Sequence, residues 1–126
     1  SDIGSSILFD SVILIDHFNG IEAATTYLST VGSAGFISTI TRAEVLARFD
    51  EPDFSRAQAL MNAMNIIPID TRVADMAARL RRQYRWKLPD ALQAACATVH
   101  GATLATRNTR EFDPSIHDFV TIPYQL

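Results

Sequence analysis

The sequence predicts an α/β fold of three layers, in which helices cover both faces of a central, mostly parallel sheet of about five strands. Short apolar runs recur along the chain, and most of them are followed by a longer segment whose apolar side chains have helical spacing. Strands separated by helices are typical of parallel sheets. The length of 126 residues and the 48% hydrophobic composition allow one core. We therefore expect residues 1–126 to form a single domain.

Three of the strands are predicted between residues 7 and 69. The predicted elements are a strand at 7–9, a helix at 21–31, a strand at 35–38, a helix at 41–49, a helix at 54–64 and a strand at 66–69. Gly32 follows the first helix and Pro52 follows the second, as helix-ending residues do. Pro68 lacks a backbone N–H, so the strand at 66–69 is expected at a sheet edge or strand end.

The second half supplies the remaining helices and strands. Asp70 is a typical N-cap residue, and apolar side chains at helical spacing follow it from Val73 to Tyr84. A further helix begins at Pro89 and ends before Gly101. Strands are predicted at 102–105 and 119–122. In such folds ligands bind beyond the carboxyl ends of the strands, so the polar residues that follow the strands are the candidates for a functional site.

Composition excludes several classes of protein. The net charge of −3 argues against a broad basic surface for nucleic acid. It does not exclude a nuclease, because metal ions would neutralise carboxylates that gather around them, and the formal net charge does not include such ions. Cys96 is the single cysteine, which excludes an internal disulfide and a cysteine-based zinc site. Its alanine-rich surroundings predict a buried core residue rather than a catalytic thiol.

The beginning of the chain predicts no membrane segment. The longest apolar stretch starts at Ile7 but is interrupted by Asp10 and Asp16, which makes it too short and too charged to cross a bilayer or to act as a secretory signal. We therefore expect a cytoplasmic protein. Residues 1–5 are polar and are expected to be a flexible end or a remnant of cloning.

Three acids stand at strand ends or helix starts. Asp10 interrupts an apolar run and needs a partner, either a metal ion or the backbone N–H of Val12 or Ile13 in a cap. Glu44 either completes a capping box with Thr41 or binds metal, and Asp90 either complements the helix dipole or binds metal. Carboxylates that meet at one sheet edge repel each other unless cations lie between them, and oxygen-only ligation favours Mg²⁺ or Mn²⁺.

A polar segment follows the fourth predicted strand. It runs Thr106-Arg107-Asn108-Thr109-Arg110-Glu111-Phe112 and brings hydroxyl, amide, guanidinium and carboxylate groups to the same sheet edge. Taken alone, it is equally typical of an ordinary surface loop.

These segments, taken in order, resemble a known family. The run from Ile7 to Asp16, then Thr41-Arg42-Ala43-Glu44, Leu88-Pro89-Asp90-Ala91 and the polar segment at 106–112 are similar to PIN domains, above all to the VapC-type toxins of prokaryotic toxin–antitoxin pairs. The resemblance spans nearly the whole chain. Its specificity lies in the ordered set of motifs rather than in any one of them.

The resemblance implies a PIN-like fold and a homodimeric endoribonuclease that uses Mg²⁺ or Mn²⁺ and is held inactive by a cognate antitoxin. It places the metal-binding and catalytic acids at Asp10, Glu44 and Asp90, with Thr106 as the polar strand-end residue. Many family members have aspartate where this chain has Asn108, and many have aspartate where it has Glu111. The fourth acid is therefore either Glu111 or the nearby Asp113.

The remaining polar side chains receive roles in the hydrolysis of an RNA phosphodiester. Asn108 and Thr106 would orient the attacking water or a phosphate oxygen, and Arg107 or Arg110 would hold the RNA backbone. An alternative is a PIN-like domain that has lost catalysis and survives as a partner-binding scaffold, which the presence of Asn108 leaves open.

Two other α/β classes fit poorly. A haloacid-dehalogenase-like phosphatase needs a second aspartate two residues after Asp10, where this chain has Val12. A receiver-type signalling module needs a lysine after a late strand, but the only lysine, Lys87, precedes a helix.

A basic and aromatic run lies just before the predicted helix that carries Asp90. It consists of Arg79, Arg81, Arg82, Arg85, Trp86 and Lys87. Such a run is usually a solvated helix face, and the functional interpretation is an RNA platform that leads to Asp90. The three histidines, His17, His100 and His117, lack the spacing of metal ligands, so we expect neither metal nor base roles for them.

Overall fold

The computed structural model describes residues 6–126, so the expectation for residues 1–5 lies outside the described residues. The strands are β1 (Ile7–Phe9), β2 (Gly35–Ser38), β3 (Asn65–Ile67), β4 (Thr103–Ala105) and β5 (Val120–Thr121). The helices are α1 (Ser11–Phe18), α2 (Glu22–Val31), α3 (Thr39–Leu46), α4 (Asp53–Asn62), α5 (Thr71–Tyr84) and α6 (Leu88–His100). No helix in this part of the chain has the length and apolar character that a membrane crossing requires.

The five strands form one parallel sheet in the order β3-β2-β1-β4-β5. In its centre, Leu8 is paired with Phe36 of β2 and with Leu104 of β4. The strand with Pro68 just beyond it, β3, lies at an edge of the sheet as the proline predicted. The carboxyl ends of the three central strands therefore meet at one edge.

Side chains that alternate along the strands divide the core into two parts. Leu8 and Leu104 are fully buried on the face covered by α5 and α6. Phe9 and Ala105, the next residues, are buried on the opposite face, under side chains of α1, α3 and α4. Helices thus cover both faces of the sheet, which confirms the predicted three-layer architecture.

Helix α1 is not among the elements predicted from the sequence. A helix was predicted at 21–31 but none before it, whereas α1 follows β1 directly after Asp10. The Asp10 carboxylate caps α1 by accepting a hydrogen bond from the Ser11 N–H at 2.8 Å, and Ile13 and Leu14 are buried against the sheet. A short apolar run is equally compatible with a strand and a helix, so its tertiary contacts decide.

The capping-box alternative for Thr41 and Glu44 is not what the structure shows. Helix α3 begins two residues earlier than predicted, with Ser38 as N-cap, and the Ser38 hydroxyl accepts a hydrogen bond from the Thr41 N–H at 3.2 Å. It ends at Leu46 rather than at Phe49. Glu44 therefore lies in the second half of the helix, where a capping role does not explain it.

Candidate active site

Asp10 is buried at the carboxyl end of β1 and is surrounded by donors. Its Oδ2 accepts a hydrogen bond from the Thr106 hydroxyl at 2.7 Å, and its Oδ1 accepts from the Ser11 N–H at 2.8 Å and from Gln93 Nε2 at 3.3 Å. Burial raises the pKa of Asp10, and these hydrogen bonds act against it. The predicted backbone cap is present, although its donor is Ser11 rather than Val12 or Ile13.

Thr106 joins the end of β4 to Asp10. Its side chain is fully buried, and besides donating to Asp10 it accepts a hydrogen bond from the Asn108 N–H at 2.9 Å. The segment after β4 is thus turned back onto the sheet edge at its first residues. This arrangement places the backbone of Asn108 beside the same carboxylate that ends β1.

Glu44 faces Asp10 from helix α3. Its side chain is half-buried, and burial raises its pKa. The negative charge of Asp10 raises it further, while the Ser11 hydroxyl lowers it. Glu44 and Asp10 therefore lie within electrostatic reach of each other, on two elements that the chain connects through β2.

Asp90 lies in the first turn of α6 and interacts with the other acids. Its pKa is raised from 3.8 to about 6, first by burial and then by the charges of Asp10, Glu111 and Glu44; Lys87 acts in the opposite direction. A carboxyl group that is influenced by three others must share their neighbourhood. We call these four residues, Asp10, Glu44, Asp90 and Glu111, the acidic cluster.

The two candidates for the fourth acid lie in different environments. Glu111 raises the pKa of Asp90, whereas Asp113 does not contribute to it. The Asp113 carboxylate instead accepts hydrogen bonds from the Ser115 N–H at 2.9 Å and the Ser115 hydroxyl at 2.7 Å, which lower its pKa. The electrostatics thus favour Glu111 as the fourth member, and Asp113 stabilises a local turn.

The acidic cluster has the donor chemistry of a divalent cation site, because it offers only carboxylate oxygens. Within residues 6–126, however, no three acidic, histidine or cysteine side chains stand close enough to hold one ion together.

Gln93 contacts the candidate site and was not predicted from the sequence. It lies on α6, is 1% exposed, and donates from Nε2 to Asp10 and to the Thr41 hydroxyl. Its Oε1 accepts a hydrogen bond from the Ser38 hydroxyl at 2.8 Å. The available signal was a long amide among alanines, at a position where the helix period requires burial.

The two arginines of the polar segment differ in their contacts. The Arg107 guanidinium donates two hydrogen bonds to Asp16, whose carboxylate is buried at the end of α1. Arg110 is exposed. The prediction that either one binds RNA stays a prediction, but Arg107 already has an internal partner.

Trp86 does not belong to an exposed RNA platform. It is buried, stacks on Tyr84 with ring centroids 4.5 Å apart, and donates from its indole N–H to the Glu111 carbonyl oxygen at 3.1 Å. Its ring also contacts the buried His117 and Phe112. The platform interpretation is wrong for the tryptophan, because its large apolar ring completes the core beneath the segment that carries Glu111.

The four arginines of the basic run are exposed, as a solvated helix face would be. Of these, Arg81 donates to the Trp86 carbonyl oxygen at 2.6 Å.

Cys96 is fully buried, and burial raises the pKa of its thiol to about 12, which confirms the core role predicted for it. His17 shares a hydrogen bond of 2.7 Å with the Thr25 hydroxyl.

Comparison with known proteins assigns this architecture to a family. The family model described as "PIN domain" matches residues 7–113, which include all four members of the acidic cluster. The chain belongs to the PIN-domain family. The match begins at β1 and extends through the polar segment after β4, so the elements that carry the acidic cluster are all within it.

Individual relatives agree with this assignment. The chain is 34% identical to Ribonuclease VapC10 of Mycobacterium tuberculosis over 113 residues, which cover 84% of this chain and 85% of that protein. It is 32% identical to Ribonuclease VapC19 of the same species, with 83% and 90% covered.

Solved structures show the same fold. A chain from a toxin–antitoxin complex of Klebsiella pneumoniae is similar with a TM-score of 0.88 and 36% identity, and the match covers 96% of this chain and all of that one. FitAcB from Neisseria gonorrhoeae shares the fold with a TM-score of 0.74 at 24% identity, covering 95% of this chain and 99% of that one.

Proposed function

We propose that this chain is a metal-dependent endoribonuclease that hydrolyses RNA phosphodiester bonds. The observation that carries the proposal is the meeting of Asp10, at the end of β1, with Asp90, in the first turn of α6. Their neighbourhood also contains Glu44 and Glu111, and burial together with these three carboxylates raises the pKa of Asp90 to about 6. Four acids gathered at one edge of the sheet are an unfavourable arrangement unless a cation neutralises them. The PIN-domain relatives named as ribonucleases support RNA as the substrate.

The acidic cluster would hold the cation through the carboxylates of Asp10, Glu44, Asp90 and Glu111. Mg²⁺ or Mn²⁺ fits an oxygen-only donor set better than zinc does. When bound, such an ion lowers the pKa of a water molecule and neutralises charge that develops on the phosphate. The half-buried positions of Glu44 and Asp90 limit how much water competes for their carboxylates.

The chain's own residues have distinct tasks in this proposal. Thr106 holds one oxygen of Asp10 by a hydrogen bond of 2.7 Å. The Asn108 amide, next to the same edge, would orient the attacking water or a phosphate oxygen. Arg110, which is exposed, would bind the RNA backbone, and Arg107 would contribute positive charge at the same edge while bound to Asp16.

We further propose that the chain is the toxin of a type II toxin–antitoxin pair and that a cognate antitoxin restrains it in the cytoplasm. The similarity to a chain of the Klebsiella pneumoniae toxin–antitoxin complex, at 36% identity over nearly the full length, supports this assignment. The homodimer implied by the resemblance is checked by light scattering on the purified chain, where a monomeric mass would contradict it.

The proposed activity is tested by incubating the purified chain with a mixed RNA pool in Mn²⁺ or Mg²⁺. Three further lanes contain EDTA, the variant Asp90→Asn and the variant Asp75→Asn. Asp75 is exposed on α5, so its substitution changes the net charge equally without touching the acidic cluster. We expect cleavage in the wild type and in Asp75→Asn, and none with EDTA or in Asp90→Asn.

Intact RNA in every lane, from folded protein free of antitoxin, would contradict the nuclease proposal. It would favour the alternative of a catalytically inactive, partner-binding PIN-like domain. Cleavage that persists in EDTA and in Asp90→Asn would instead identify a contaminating nuclease.

A further inference from the structure

We propose that Gln93 is a positioning residue that fixes the orientation of the Asp10 carboxylate for cation binding, an inference that rests on the proposed metal-dependent function. Gln93 is the only polar side chain among the buried residues of α6, which otherwise are alanines and Cys96. An apolar side chain would fill this place without the cost of burying an amide. The polar group therefore requires an explanation beyond packing.

The direction of the Gln93 amide is determined by its neighbours. The Ser38 hydroxyl oxygen accepts from the Thr41 N–H, and its proton is donated to Gln93 Oε1. With Oε1 on that side, the NH₂ group points to Asp10 Oδ1 and the Thr41 hydroxyl oxygen. The Thr41 hydroxyl in turn donates a hydrogen bond to the Phe9 carbonyl oxygen. Each buried donor in this network has one acceptor, so the amide has a single favourable orientation.

This network connects the elements that carry three of the acids. Gln93 lies three residues after Asp90 on α6, Ser38 and Thr41 open the helix that carries Glu44, and Asp10 ends β1. Gln93 and Asp10 are 83 residues apart in the chain. One side chain thus connects the three elements that carry these acids, and together with Thr106 it restricts the rotation of the Asp10 carboxylate.

Hydrogen-bond partners of a metal-binding carboxylate typically change metal affinity by about 10- to 100-fold when they are removed. The variant Gln93→Met keeps the length and approximate volume of the side chain and removes both donors and the acceptor. We therefore expect it to bind Mn²⁺ about 10- to 100-fold more weakly than the wild type. The matched control is Cys96→Ala, which alters another fully buried residue of the same helix.

The experiment is a calorimetric titration of the antitoxin-free full chain with Mn²⁺ for the wild type, Gln93→Met and Cys96→Ala. A circular dichroism melt of each variant establishes that it is folded. Weak binding by Gln93→Met alone supports the proposal. Equal affinities for all three proteins overturn it and leave the metal site intact, whereas a wild type that binds no Mn²⁺ overturns the proposed function itself.

A second measurement keeps the test valid if Gln93→Met fails to fold. The side-chain amide resonance of Gln93 in the ¹⁵N-labelled wild type is followed during a titration with Mg²⁺. We expect it to shift as the ion occupies the acidic cluster, while the resonance of the exposed Gln83, which donates to the Tyr84 hydroxyl, stays in place. A Gln93 resonance that does not move while Mg²⁺ binds would overturn the proposal.

Discussion

The guanidinium group of Arg107 donates two hydrogen bonds to the carboxylate of Asp16, from Nε at 2.6 Å and from Nη2 at 2.9 Å. The hydroxyl of Tyr124 donates to the same carboxylate at 2.8 Å. Asp16 thereby joins α1 to the residue next to Thr106 and to the segment after β5. The ion pair fixes the strand end that presents Thr106 to Asp10.

The variant Asp16→Ala is expected to lower the free energy of unfolding by about 2–3 kcal/mol, because it leaves the Arg107 and Tyr124 donors without their acceptor. Urea denaturation of both proteins at neutral pH measures the difference. The matched control is Arg56→Ala, which breaks the exposed pair with Asp53 at 3.4 Å and should cost less than about 0.5 kcal/mol. Equal losses in the two variants would contradict the role of Asp16.

The same comparison has a defined pH dependence. The hydrogen bonds from Arg107 hold the pKa of Asp16 below its ordinary value of 3.8. A lowered carboxyl pKa contributes stability that is present above the unfolded-state value and is lost as the pH falls through the folded-state value. The stability gap between the wild type and Asp16→Ala should therefore be constant near neutrality and narrow below about pH 4.

For Asp90 the expected effect has the opposite sign. Burial and the other acids raise its pKa to about 6, so the charged form destabilises the metal-free fold as the pH rises from about 4 through 6. Asp90→Asn should be more stable than the wild type near pH 7 without metal, by about 1 kcal/mol because the group is half-exposed and partly screened. Thermal melts at several pH values measure this gain, which should vanish below about pH 4.

Added Mn²⁺ should reverse that order. The wild type is expected to gain stability by binding the ion, whereas Asp90→Asn lacks one of the proposed ligands and should gain less. A variant that is less stable than the wild type in EDTA near pH 7 would contradict the repulsion among the four acids.

Glu111 and Asp113 are distinguished by one pair of conservative variants. Glu111→Gln should reduce the rise in melting temperature that Mn²⁺ produces, because it removes a carboxylate that interacts with Asp90. Asp113→Asn should leave that rise unchanged and weaken only the turn with Ser115. Thermal melts with and without Mn²⁺ provide the measurement. The reverse pattern would make Asp113 the fourth acid.

Arg110→Ala should weaken RNA binding without affecting stability. If Arg110 contacts one phosphate, its removal reduces the slope of log affinity against log salt concentration by about 1. Filter binding or fluorescence anisotropy over a series of salt concentrations measures this slope in EDTA, where no cleavage occurs. Arg72→Ala is the control, since Arg72 donates to the Val99 carbonyl oxygen at the far end of α6. An unchanged slope for Arg110→Ala would remove it from the RNA-binding surface.

Local sequence patterns were sufficient to predict most of the fold. Asp70 caps α5 by accepting from the Val73 N–H at 3.0 Å, as its position before a helical repeat predicted. The strands and their carboxyl ends also followed from local rules, and these placed Asp10, Glu44 and Asp90 at one edge. Helix caps and strand boundaries depend on residues within one or two turns of each other, so local sequence patterns predict them.

The contacts that hold the site were not predictable in the same way. Gln93 meets Asp10 across 83 residues and Arg107 meets Asp16 across 91 residues, so no local spacing relates the partners. Ser38 displaced Thr41 as the helix cap because β2 continues into α3 without a loop, which only the register of the sheet determines. Trp86 directly follows a run of exposed arginines, so its burial was not expected from the sequence. The turn at Arg85, with a φ of 61°, redirects the chain into the core.

The distribution of the acidic cluster along the chain has a consequence during synthesis. A ribosome releases Asp10 and Glu44 long before β4 and the segment with Thr106 and Glu111. Because β4 lies beside β1 in the sheet centre, a nascent chain that lacks it has neither the Thr106 donor for Asp10 nor Glu111. A product truncated before β4 is therefore expected to be inactive, and the proposed nuclease would become competent only after the segment with Thr106 and Glu111 has been synthesised and folded.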